Sequence, residues 1–154
     1  MTHLSTINPN LRSLAVIARV LDYPCTDLQE AADAMVCVIR DEGRIPAEQR
    51  QSLMDFIRRL RDTELLDIQA DYVETFDRGR AVSLLLFEHV HGESRARGQA
   101  MVDLKALYAR HGLELAPGEL PDFLPLFLEF LSILPLQEAT AHLSEHAHIV
   151  AALH

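Results

Sequence analysis

The chain is poor in positive charge and almost without lysine. Fourteen basic residues stand against 23 acidic ones, a formal net charge of −9, and Lys105 is the sole lysine. Phosphate binding needs a basic face, so nucleic acid is not expected as the main partner. A basic partner is permitted. Cysteine is scarce as well. Cys25 and Cys37 form neither a CxxC pair nor a zinc spacing, which points to free, buried thiols in a reducing compartment. No apolar run is long enough to cross a bilayer. The most apolar stretch, 123–136, has fourteen residues and is interrupted by Pro125, Glu129 and Pro135, whereas a spanning helix needs about 20. The N-terminus, MTHLSTINPNLRS, lacks a basic region followed by an apolar one, so no secretory signal is expected. These absences together predict a soluble, cytoplasmic protein with no direct membrane insertion.

Local catalytic signatures are also missing. Lys105 follows Asp103-Leu104 rather than a glycine, so there is no phosphate-binding GxxxxGK[ST] loop. No GxGxxG occurs, no GxSxG surrounds Ser83, and no HExxH is present. Nucleotide binding and acyl transfer therefore have no local support.

What is present reads as helix. The 154 residues, 49% of them apolar, predict one domain, 1–154. A folded chain of this length buries roughly two-thirds of its unfolded surface. Asn8-Pro9 offers a cap and first turn, followed by Leu11, Leu14, Ala18 and Leu21 at helical spacing. Thr26 with Gln29 fits a capping box for a second helix that carries Leu28, Ala31, Met35 and Ile39 and stops at Gly43. Pro46 opens a third, with Leu53, Phe56, Ile57 and Leu60 inside. Thr63 caps a fourth, with Leu65, Gln69, Tyr72 and Phe76 on one stripe and Gly79 at its end. Residues 81–91 suit a short buried helix better than a buried strand. Ser94 caps a helix over 95–111 with Met101, Leu104 and Tyr108 inward. Asp122 caps the next, with Phe123, Phe127, Phe130 and Leu134 inward, and a last helix covers 136–152 with Leu136, Leu143 and Val150. The expectation is an all-α, compact bundle of seven to eight helices, neighbours mostly antiparallel.

Charge is uneven along it. Residues 1–60 hold seven basic and eight acidic residues, whereas residues 61–154 hold seven and fifteen. The acidic half also contains the unusual segments. His142 and His146, four apart with His148 nearby, share a helix face, a spacing able to hold a divalent metal; two solvent-facing histidines are the plainer reading. Glu88, His89 and His91 could do acid–base work. The apolar run before them favours a buried polar network, with Arg95 or Arg97 pairing to Glu88 or Glu93. Asp122 is either a helix cap or an acceptor for a bound peptide. Tyr72 and Phe76 read as core before groove.

The segment YVETFDRGR, 72–80, continuing through SLLLFEHVHGESRARGQAMVDL, resembles the molybdenum cofactor assembly chaperones of respiratory nitrate reductase, the delta-subunit family. These belong to the wider redox enzyme maturation chaperones. A second block, LPDFLPLFLEFL at 120–131, is similar to the family's other signature. The resemblance covers nearly the whole chain and is strongest over 70–136. It implies an all-helical cytoplasmic chaperone, monomer or weak homodimer, that is not an enzyme and has no cofactor of its own. Its implied partner is the apo catalytic (alpha) subunit of respiratory nitrate reductase, bound through its N-terminal segment until molybdenum cofactor is inserted. The wider family usually has Asp-His where this chain has Asp122-Phe123, positions implicated in reading twin-arginine leaders. Phe123 offers no hydrogen bond, which implies apolar packing against a less charged, leader-like remnant. Relatives of this type tend to run beyond His154.

The peptide-binding site expected on this basis is a groove among the C-terminal helices that holds a short amphipathic helix. Its floor is Tyr72, Phe76, Phe87, Phe123 and Phe127. Its rim is Glu74, Asp77, Glu88 and Asp122, with His89 and His91 beside it. No metal ligands are assigned. The competing expectations are a small histidine-based metalloprotein and a structural adaptor.

Overall fold

The computed structural model describes residues 7–78, 82–91 and 94–151. Eight α-helices account for most of these: α1 (Arg12–Leu21), α2 (Thr26–Glu42), α3 (Ala47–Asp62), α4 (Leu65–Tyr72), α5 (Glu88–His91), α6 (Arg95–Arg110), α7 (Leu124–Ile133) and α8 (Leu136–Ala151). No strand occurs among the described residues; the single bridge pairs Leu85 with Phe123. The chain is all-α, as its periodicity predicts.

The order of packing is α3 on α2, α2 on α1, α1 on α7, and α7 on α8. Helix α1 is therefore sandwiched, and it buries two faces. Leu11 and Ala18 join a cluster with α6, α7 and α8, while Val16 and Val20 join a second cluster with α2 and α3. The sequence stripe Leu11, Leu14, Ala18, Leu21 marks only the first face. The second, Val16 and Val20, also stands at helical spacing, so this short helix carries two apolar stripes.

Several polar residues near helix starts do not cap locally. The Asn8 amide donates to the Leu134 carbonyl at 2.8 Å, closing the end of α7, and its Oδ1 accepts from Asn10 N–H. The start of α1 is instead satisfied by Glu42, which accepts from Ser13 N–H at 2.6 Å and Ser13 Oγ at 2.7 Å. A carboxylate there also suits the positive end of the helix dipole. Thr26 and Gln29 form no capping box: α2 has no side-chain cap, and Gln29 Nε2 donates across to the carbonyls of Leu60 and Thr63 at the end of α3. Thr63 Oγ1 donates back to the Arg59 carbonyl rather than capping α4. The stops are as expected, with Gly43 in the left-handed region at φ 69° after α2.

Three expected core residues lie outward. Phe56 is exposed beneath the Arg59 guanidinium, and Met54 fills the core in its place. Val150 is exposed and Ile149 buried. Cys37 is exposed and Cys25 half-buried, so the thiols are free but not core. Helix α4 runs directly into a π-helical turn, Val73–Asp77. The expected stop at Gly79 lies outside the described residues, as does Glu93.

Candidate peptide groove

The π-turn after α4 and the irregular chain before α5 face each other across an open groove of about 520 Å³. One wall carries Tyr72, Phe76, Asp77 and Arg78; the other carries Ser83, Leu84, Leu85 and Glu88; Phe123 closes one end. π-turns within helices recur at functional sites because they re-aim side chains. Here Tyr72 and Phe76 stack at 4.8 Å. Tyr72 Oη donates to the Leu21 carbonyl at 3.2 Å and Gln69 Nε2 to the Pro24 carbonyl at 2.9 Å, which ties this wall to the end of α1.

The opposite wall has no regular helix until α5, so its backbone groups are satisfied elsewhere. Leu86 N–H donates to the Asp122 carbonyl at 2.9 Å, and Leu124 N–H to the Leu84 carbonyl at 2.8 Å. Asp122, fully buried, accepts from Phe87 N–H at 3.2 Å and from Arg97 Nη2 at 3.5 Å. Tyr108 Oη donates to the Pro121 carbonyl at 2.7 Å. Among the described residues, Asp122 Oδ1 and Arg97 Nε have no partner. This network pins the groove wall to the start of α7.

Five of the eleven expected site residues line the groove: Tyr72, Phe76, Asp77, Glu88 and Phe123. The others do not. Glu74 is exposed and paired with Arg78 at 2.6 Å. Phe87 and Phe127 belong to the main core cluster. Their aromatic spacing matched a groove floor, but α6–α8 cover them. Asp122 is neither an accessible rim carboxylate nor the cap of α7; Phe123 occupies the cap position. Arg97 pairs with Asp122 rather than with Glu88. His91 packs beside Phe87. Four lining residues escaped the sequence reading, namely Arg78, Ser83, Leu84 and Leu85. All four lie in the segments that carry the family resemblance, but the apolar run at 84–87 has no period to say which side faces out.

Glu88 and His89 hold Ser83 from two sides. Ser83 Oγ donates to Glu88 at 2.6 Å, and His89 Nε2–H donates to the Ser83 carbonyl at 2.7 Å. The histidine thus meets the carbonyl and not the hydroxyl, so no nucleophile–base pair forms. On α8, His146 Nδ1–H donates to the His142 carbonyl at 2.8 Å, and its ring packs on Phe127 at 4.9 Å. His142 lies 3.5 Å from Glu145. Among the described residues no group of three or more His, Cys, Asp or Glu side chains could hold a metal. No described helix is long and apolar enough to cross a membrane.

Burial and then the Asp122 charge push the Tyr108 phenol far above its ordinary value of 10.0. Burial, followed by the charges of Asp22 and Asp77, pushes Tyr72 up to about 12. In the unfolded chain both phenols ionise near 10.0. Above that pH the unfolded chain binds fewer protons than the folded one, so stability falls as pH rises. Urea midpoints should be insensitive to these groups below pH 10.0 and should drop as pH climbs from there towards about 12. Tyr108→Phe should flatten that drop.

Residues 42–154 match the family model described as the nitrate reductase delta subunit. Over 140 residues the chain is 51% identical to the nitrate reductase molybdenum cofactor assembly chaperone NarJ of Escherichia coli strain K12, covering 91% of this chain and 59% of that protein. It is 48% identical over 143 residues to NarW of the same strain, a probable chaperone of the same description, covering 93% of this chain and 59% of the relative. The chain thus spans about three-fifths of the length of these relatives. A solved structure of a candidate redox enzyme maturation protein from Archaeoglobus fulgidus shares the fold, with a TM-score of 0.61 at 20% identity over 97% of this chain and 84% of that one.

Proposed function

Because the chain belongs to the nitrate reductase delta subunit family, we propose that it is a cytoplasmic assembly chaperone for respiratory nitrate reductase. It holds the N-terminal segment of the apo catalytic subunit while molybdenum cofactor is inserted. The cofactor is cargo delivered to the client. The chaperone's own residues bind and shield a peptide, and they break no bond.

The observation that carries this reading is the groove between the π-turn and the 83–88 wall. Helix-in-groove recognition needs an apolar floor and polar rims. Tyr72, Phe76, Leu85 and Phe123 supply the floor, and Asp77 and Glu88 the rim. Phe123, at the position where histidine is common in the wider family, adds apolar surface. The acidic surface speeds encounter with a basic segment. Exposed charge pairs contribute about 0 to 1 kcal/mol each, so the apolar contacts dominate affinity. Ordering the peptide costs roughly 2 to 5 kcal/mol of the gross interaction energy. Binding is therefore moderate and reversible, as release of the client requires.

Titration calorimetry with the client's N-terminal peptide tests the reading. Phe76→Ala should weaken binding about tenfold, near 1.4 kcal/mol. Asp77→Asn should weaken it only about twofold. Equal or reversed effects in folded variants would contradict an apolar floor.

A further inference from the structure

We infer that the corner formed by Tyr23 and Tyr72, bracketed by Asp22 and Asp77, is a subsite for one cationic side chain of the bound peptide. The inference deepens the groove reading above and rests on it. The groove floor does not end at Tyr72. Tyr23, in the turn between α1 and α2, stands edge-on to Tyr72 at 5.4 Å and 87°. Tyr72 in turn stacks on Phe76. Three rings thus carry the apolar floor out of the groove onto the α1–α2 turn. Tyr23 remains 49% exposed, so its ring is open to a bound side chain.

Two carboxylates bring negative charge to this corner. Asp22 and Asp77 both act on the Tyr72 phenol. Asp22 Oδ1 accepts from the Tyr23 backbone N–H at 2.8 Å, and neither carboxylate forms an ion pair among the described residues. The basic residues beside this corner, Arg78 of the groove lining among them, are already engaged. Arg19 donates to Cys25 Sγ at 3.6 Å, and Arg78 is held by Glu74. Tyr72 is fixed by its bond to the Leu21 carbonyl, so that ring does not need to be ordered on binding. Aromatic rings beside two carboxylates that form no ion pair among the described residues attract a guanidinium or ammonium by ring quadrupole and by charge together. The peptide that fits carries an arginine or lysine flanking its apolar face, and that side chain lies over Tyr23 while the apolar face fills the groove towards Phe123.

A double-mutant cycle tests this. The probes are a synthetic peptide of the catalytic subunit's N-terminal segment and the same peptide with its arginines and lysines replaced by glutamine. Tyr23→Ala, and separately Asp22→Asn combined with Asp77→Asn, should each lower affinity for the first peptide about three- to tenfold. For the glutamine peptide the loss from either should stay within about twofold. Tyr23→Phe should bind both peptides as wild type does. Equal losses for the two peptides, or no loss for either, would overturn the subsite while leaving the groove intact. Failure of the wild-type protein to bind either peptide would overturn the groove itself.

Discussion

Phe127→Ala is expected to destabilise the protein by about 3 to 5 kcal/mol and to leave the groove's chemistry untouched. The ring is fully buried in α7. It belongs to the cluster shared by α1, α6, α7 and α8, with the His146 ring 4.9 Å away. Truncation removes the ring from the centre of that cluster, and a helix packed against both α1 and α8 relaxes little into the cavity. A domain of this size has about 5 to 15 kcal/mol of stability in total, so the loss is a large share of it. Urea unfolding gives the magnitude. A loss below about 1 kcal/mol would mean that the site collapses freely, contrary to its packing. At temperatures where the variant remains folded, its peptide affinity should match wild type, because Phe127 does not line the groove.

Asp122→Ala comes next, at about 3 kcal/mol, the low end for breaking a buried pair by removing one partner. The carboxylate is inaccessible, whereas Arg97 keeps 19% of its side chain exposed and can recover some hydration. The lost contacts are the acceptor for Phe87 N–H and the counter-charge for Arg97. Unlike Phe127, this residue holds the wall of the groove, because the neighbouring backbone bonds of Leu84 and Leu86 run to the same point. Asp122→Ala should therefore lower peptide affinity as well as stability. Asp122→Asn keeps an acceptor for the Phe87 amide and should lose only about 1 kcal/mol. If the alanine variant unfolds like wild type in urea, the network does not hold the wall.

The helices were legible because their signals are local. The glycine after α2 and the proline before α3 stop and start the chain through their own backbone preferences, whatever surrounds them. The caps were not legible, for the opposite reason. Asn8, Gln29 and Asp122 carry side chains able to satisfy a nearby amide, and spacing along the chain offers only nearby partners. Gln29 and Asp122 were drawn instead to backbone groups on a distant element, at the end of α3 and in the 84–87 wall, and Asn8 reaches the end of α7 while also accepting from the nearby Asn10 amide. A buried orphan donor or acceptor costs enough to recruit whatever polar side chain reaches it. The aromatic residues divide in the same way. Periodicity put Tyr72, Phe76, Phe123 and Phe127 on helix faces, but it does not say whether another helix covers the face. His146 of α8 covers Phe127, whereas Tyr72, Phe76 and Phe123 line the groove. Ser83, Leu84 and Leu85 sit in an irregular segment, where no period exists to read.

Amide hydrogen exchange of the full chain, with and without the client's N-terminal peptide, addresses the proposed groove most directly. Bound peptide should slow exchange in 72–78, in 83–88 and around Phe123, with Tyr23 joining them, and should leave the exposed faces of α2 and α3 unchanged. Saturating peptide that protects α2 and α3 while leaving the π-turn and the 83–88 wall at their free rates would contradict a client seated in this groove.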